Sequence, residues 1–299
     1  MVRPSSSEAL KRAVSDSAWG QWTSLGVLGD HRQPESRCID PEALIWLTFA
    51  SGGAVGARLV DAARTWLALN GRLISIHRLR NVFSGEGEGV ALGNAMSAVG
   101  GRVDADRARI KTTAKAAEPD PMTPANLAIR LRLLMDAGSR SEVARFLLTW
   151  PGAGADAQHV AVAAAFAKRN VNDILLSFVK GGVVHEAWAG NRRVFSADKD
   201  RWCGFLGIGP QDLPGYVPWT ALFRSATRIL GWLEAHPSSD ASPYLRSSSA
   251  RDLLEAVGPD LVSCGIEVPD VRRYQAESFL EPFDAMVAEV AKTTAPQVA

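Results

Sequence analysis

The segment from Lys168 to Lys180 leaves the chain little conformational choice. Val171, Ile174, Leu175, Phe178 and Val179 recur at helical spacing and form one apolar stripe, while Arg169, Asn172, Asp173, Leu176 and Lys180 fall on the other side. Gly181 and Gly182 follow, and glycine ends a helix readily because it takes the left-handed conformation with no Cβ clash. Two β-prone runs come next, Val183 to Trp188 and Arg192 to Ser196, separated by Ala189-Gly190-Asn191. A glycine beside an asparagine between such runs is a hairpin signal. A helix that must stop, followed at once by a hairpin, predicts a mainly α unit with one small β-hairpin.

The stretch before Lys168 predicts two more helices. Val143, Phe146, Leu147 and Trp150 mark an apolar face over Ser141 to Trp150, with Ser139 placed to cap it and Pro151 to end it. Asp156 is placed to cap a second helix running to Phe166, with Val160, Ala163 and Ala164 inward. Taken over residues 139–202, the order of three helices and a hairpin resembles the winged helix-turn-helix of bacterial ArsR-like and MarR-like transcriptional regulators. The resemblance implies that the third helix enters the major groove with its N-terminal residues near base edges. On this chain those residues are Lys168, Arg169, Asn170 and Asn172, with Ser177 further along the same helix. Arginine and asparagine there are suited to paired hydrogen bonds on guanine and adenine. Arg192 and Arg193, just past the hairpin turn, would hold the phosphate backbone. Asp173 and Leu176 sit on the same outward side; the first repels phosphate and the second suits a packed interface.

Composition narrows the classes further. A formal net charge of +1 over 299 residues provides no global basic field, which argues against a strongly basic nucleic-acid coat protein and leaves room for a regulator with one local cationic patch. Three distant cysteines, Cys38, Cys203 and Cys264, argue against a disulfide framework and for a reducing compartment. Met1 to Arg12 has no apolar core of a leader, and no run nears the roughly 18 apolar residues of a membrane helix. The expectation is a cytoplasmic protein with no membrane partner.

Three units are expected in chain order. Residues 1–118 form an N-terminal helical domain. Asp40-Pro41-Glu42 opens its central helix, and Gly29 to Cys38 reads as a loop. Its helix over Ala57 to Asn70 and the short piece Ile76 to Phe83, with His77, Arg78 and Arg80 outward, suggest a degenerate helix-turn-helix-like unit. The Pro-containing break at Ala116 to Pro124 separates it from the winged unit, residues 119–206. Residues 207–299 form a C-terminal helical domain whose Trp219 to Ala235 helix carries a continuous apolar face, either core or dimer interface.

Chemistry is sparse. None of the five histidines shares a helix face with another or lies in a zinc-binding spacing, and Gly85, Gly87 and Gly89 fail the dinucleotide fingerprint because Val90 follows. Asp104 and Asp106, after Gly100-Gly101, are the one enzyme-like pattern, a magnesium pair of nucleotidyltransferase type, against which stand the crowding glycines and the lack of an apolar strand. No catalytic residue, metal or cofactor is therefore expected. The expected function is a DNA-binding transcription regulator on double-stranded DNA, working as a homodimer. The alternative is an antitoxin-like or adaptor module that grips a protein partner through Leu176 and the Trp219 to Leu233 face.

Overall fold

The computed structural model describes residues 6–28, 35–51, 53–85, 88–100, 116–237 and 242–297. Five helices come first: α1 Ser6–Ser24, α2 Pro41–Ala50, α3 Ala57–Asn70, α4 Ile76–Val82 and α5 Gly89–Gly100. The middle of the chain holds α6 Leu127–Met135, α7 Ser139–Thr149, β1 Ala155–Asp156, α8 Ala157–Ala164, α9 Lys168–Lys180, β2 Val184–Ala189, β3 Arg192–Ala197 and α10 Lys199–Leu206. Then follow α11 Trp219–Ala235, α12 Pro243–Ser263 and α13 Leu280–Thr294. The chain is mainly helical, and its β-structure among the described residues is a small antiparallel sheet in the order β1-β3-β2 and an isolated bridge between Val27 and Ala116. No helix among them is long and apolar enough to cross a membrane.

The α9 helix has the bounds that its stripe predicts, and Val171, Ile174, Leu175 and Phe178 are buried. The hairpin pairs Glu186 with Phe195 and Trp188 with Arg193, turning on Gly190 at φ 60°. The short strand β1 lies on the other edge of β3, Ala155 opposite Phe195. Its two residues are too few to announce themselves by alternation.

Two apolar clusters organise these elements. One gathers Leu131, Phe146, Val160, Leu175, Phe195, Trp202 and their neighbours from α6 to α10. The other combines α1 to α4 with α11, α12 and α13: Trp22, Leu44, Trp66, Phe223, Ile229, Phe283 and Val287 belong to it together. The stretches 1–118 and 207–299, expected as separate domains, thus share one core. The α1 helix packs along α13, and α11 packs on both α1 and α2. The apolar face of α11 is core: Leu222, Phe223, Ala226 and Ile229 are buried. The sequence also reads a Gly-interrupted stretch around Trp19 and Trp22, Ser249 as the cap of a helix over Ala250 to Val257, and Ser139 as the cap of α7; all three change. The α1 helix runs on through Gly20. The α12 helix starts ahead of Ser249, whose hydroxyl accepts from Trp232 Nε1 at 2.9 Å and caps nothing. The cap of α7 is Gly138, whose N–H donates to Ser141 Oγ at 3.3 Å.

Between the two clusters lies a set of six charges. Asp40, Glu42, Arg78, Arg132, Glu142 and Arg145 are all at most 3% exposed. Asp40 accepts from Ala43 N as the cap of α2, as expected. It also accepts from both terminal nitrogens of Arg78 at 2.5 Å. Glu42 bridges Arg78 Nη1 at 2.7 Å and Arg132 Nη2 at 2.6 Å, and accepts from Ser75 N at 2.8 Å. Glu142 accepts from Arg132 Nη2 at 2.5 Å and Arg145 Nε at 2.9 Å. Three carboxylates meet three guanidiniums, so the buried set is neutral. Arg78, expected outward on a degenerate DNA-contacting helix, is at its centre with no surface. The reason is long-range: its partners come from α2 and α7, which no window around residue 78 contains.

Burial alone raises the Glu142 carboxyl, but Arg145, Arg78 and Arg132 outweigh it and hold it well below the usual carboxylate range. Asp40 is lowered in the same way, Arg78 and Arg145 overcoming its desolvation. Both groups release their protons more readily folded than unfolded. Their contribution is therefore complete above the unfolded carboxylate range, about 4, and is lost as pH falls through and below it. Urea midpoints should fall steeply below about pH 4, and Glu142→Gln should flatten that fall; an unaltered acid limb in the variant would contradict the assignment. Glu142→Ala leaves three guanidiniums short of a counter-charge and should cost about 3–5 kcal/mol in chemical unfolding.

Candidate nucleic-acid interface

The corner between α8 and α9 is built by a left-handed residue. Ala165 caps α8 at φ 55° and ψ 45°, donating its N–H toward the carbonyls of Ala161 and Val162. A residue with a Cβ sits there at some cost, since this conformation presses Cβ against the following carbonyl. The corner is held from outside. Arg78 Nε donates to the carbonyl of Ala164 at 2.9 Å, and Asn81 Nδ2 to that of Ala165 at 2.7 Å. His77 stacks on Phe166, ring centroids 5.4 Å apart. The α4 helix is therefore a brace for the corner. Reasoning from the sequence missed this role for Arg78, Asn81 and His77, whose only local signal is that three polar residues share a short helix.

From this corner α9 leaves with its first turn in solvent. Lys168, Arg169 and Asn170 are exposed, Asn172 is half-buried, and Ser177 is exposed further along. Asn170 is already engaged: its Nδ2 donates to Ser139 Oγ at 3.0 Å, which ties the start of α9 to the start of α7. Arg140, next to Ser139, is exposed and adds a cation on that side; nothing marks it until the Ser139–Asn170 bond is known. Asp173 is exposed on the outward stripe, between Arg169 and Lys180. Leu176, expected as an outward apolar group, is half-buried and packs against the module's own core. The outer face of α9 is polar and carries cations at both ends.

The two hairpin arginines differ. Arg192 is exposed. Arg193 is tethered, its Nε 3.1 Å from Glu186 Oε1 and its guanidinium 5.6 Å from the ring centre of Trp188, its cross-strand partner. Trp188 itself is 65% exposed, so the hairpin presents an indole with a clamped guanidinium over it and a second guanidinium beside the turn. The sequence pattern counted the arginines as a matched pair; the register separates them, because Arg193 shares a face with Glu186 and Trp188 while Arg192 points to the other.

Asp104 and Asp106, the candidate magnesium pair, lie outside the described residues. No protein-family model, curated protein or solved structure matches the chain.

Glycine at residue 165 relieves the Cβ contact at a smaller entropic cost. Ala165→Gly should raise the unfolding free energy by about 0.5–1 kcal/mol, measured in urea. A loss of stability would mean that the corner does not use the left-handed conformation.

Proposed function

We propose that residues 119–206 act as a winged helix-turn-helix that binds double-stranded DNA, with α9 in the major groove and the β2–β3 hairpin as the wing, in a transcription regulator. The single observation that carries this reading is the exposed cationic start of α9, Lys168 and Arg169, in a unit whose hairpin also exposes Arg192. Phosphate contact needs such local cations and no global charge. Arg169 and Asn172 are the side chains on hand for base edges, and Lys168, Ser177 and Arg192 for backbone. Asn170 contributes less than its type suggests, being engaged by Ser139. Arg193 shapes the wing through Glu186 and Trp188 more than it reaches outward.

The rival reading, an antitoxin-like or adaptor module, loses the surfaces expected for it. Leu176 packs inward and the Trp219 to Leu233 face is core. The same burial removes the expected site of a homodimer contact, so a dimer would have to use another surface.

Binding to a generic duplex should weaken steeply with added salt. Lys168→Ala with Arg169→Ala should lower the slope of log K against log salt by about 2, near 0.9 for each contact removed. Arg192→Ala should lower affinity more than Arg193→Ala, and Asp173→Asn should raise it by removing a charge that faces phosphate. Fluorescence anisotropy on a labelled duplex measures all four. Indifference of affinity and slope to the Lys168/Arg169 pair would end the DNA reading.

A further inference from the structure

A cavity of about 670 Å³ separates the α8–α9 corner from the helical body. That volume lies within the range of small-molecule sites. One wall comes from α8 and the first residue of α9, the other from the chain before α11, from α11 itself and from the end of α12. Four large aromatic side chains line it: Trp150, Phe166, Tyr216 and Trp219. Trp150 and Tyr216 stand edge to face, centroids 5.4 Å apart, so they are set in fixed relative positions. Aromatic walls of this kind accept a flat apolar body.

Charge adds a second constraint. The acids and permanent cations lining the cavity are Asp40, Asp260, Arg145, Lys168 and Arg224, three cations to two carboxyls. Asp40 is already satisfied by Arg78 and Arg145. Burial raises the Asp260 carboxyl, with Arg224 and Arg228 opposing it. Arg145 gives Nε to Glu142 and Nη2 to Asp40, and is 1% exposed. Its guanidinium is thus a buried cation held rigid at a cavity wall. Lys168 has no such tether among the bonds of the described residues and can turn toward a ligand.

We infer that this cavity binds a small organic anion with a flat aromatic body, the ring held by Trp150 and Tyr216 and the anionic group met by Lys168 and Arg224. Occupancy takes Lys168 away from the surface on which DNA binding is proposed, so the ligand lowers DNA affinity. This coupling rests on the DNA reading; the binding site does not.

The test uses the full chain and indole-3-acetate as the probe, with indole-3-acetamide as its uncharged counterpart. Calorimetry should give one site for the acid and binding weaker by about tenfold or more for the amide, the loss expected for one charge-assisted hydrogen bond. Arg224→Gln should reduce the difference between acid and amide. Ala221→Trp should abolish binding by filling the space. Val162→Trp, at a rim position that is 70% exposed, narrows the entrance without entering the core and serves if the Ala221 variant fails to fold. Saturating acid should lower duplex affinity by about 5- to 150-fold, the usual span of coupling between sites. Equal binding of acid and amide, no binding of the acid, or binding indifferent to both tryptophan variants overturns the site. Binding with unchanged duplex affinity overturns the coupling. A chain that takes the acid and ignores DNA overturns the DNA reading and leaves the site standing.

Discussion

Six charges buried between two apolar clusters set the terms for this molecule. Carrying a guanidinium or a carboxylate out of water costs several kcal/mol, and the cost is met here only when all partners arrive together. Asp40 and Glu42 come from the start of α2, Arg78 from α4, Arg132 from α6, and Glu142 and Arg145 from α7. No two of these helices can shift without leaving a charge unpaired. Apolar contacts between the clusters would tolerate sliding; this set does not. The consequence reaches the surface, because Arg78 also holds the carbonyl at the end of α8. The orientation of α9, and so the direction in which Lys168 and Arg169 point, depends on a salt-bridge set that solvent does not touch.

Local structure was readable wherever one element decided its own fate. The stripe from Val171 to Phe178 and the Gly181-Gly182 stop determine α9 to the residue. Asp156, Asp40 and Ser75 cap the helices they precede, each accepting from the amide three residues on. What could not be read is pairing over distance. An arginine in a short helix reads as outward because isolated arginines are costly to bury. Its burial is decided by acids 36 to 38 residues before it and by Glu142 well after. In the same way the apolar face of α11 shows that it must be covered, and only the fold shows that α1, α2, α12 and α13 pack around it.

The candidate surface was partly legible for a related reason. Residue types at the start of α9 are a local property, and their exposure follows from the stripe opposite. Engagement is not local: Asn170 meets Ser139 and Arg193 meets Glu186 and Trp188, and each bond removes a side chain from the set free to contact a ligand. The register of the hairpin, six paired residues on each strand, separates arginines that stand next to each other in the chain.

The pairing of the first helix with the last has a bearing on synthesis. The α1 helix lies along α13, and Arg37 donates to the carbonyls of Thr293 and Ala295 near the far end of the chain. The residues of α13 are made long after those of α1, so the side of α1 that α13 covers stays bare while the chain between them is synthesised. The stretch from α6 to α10 lies between the two in chain order and leaves the ribosome ahead of α13.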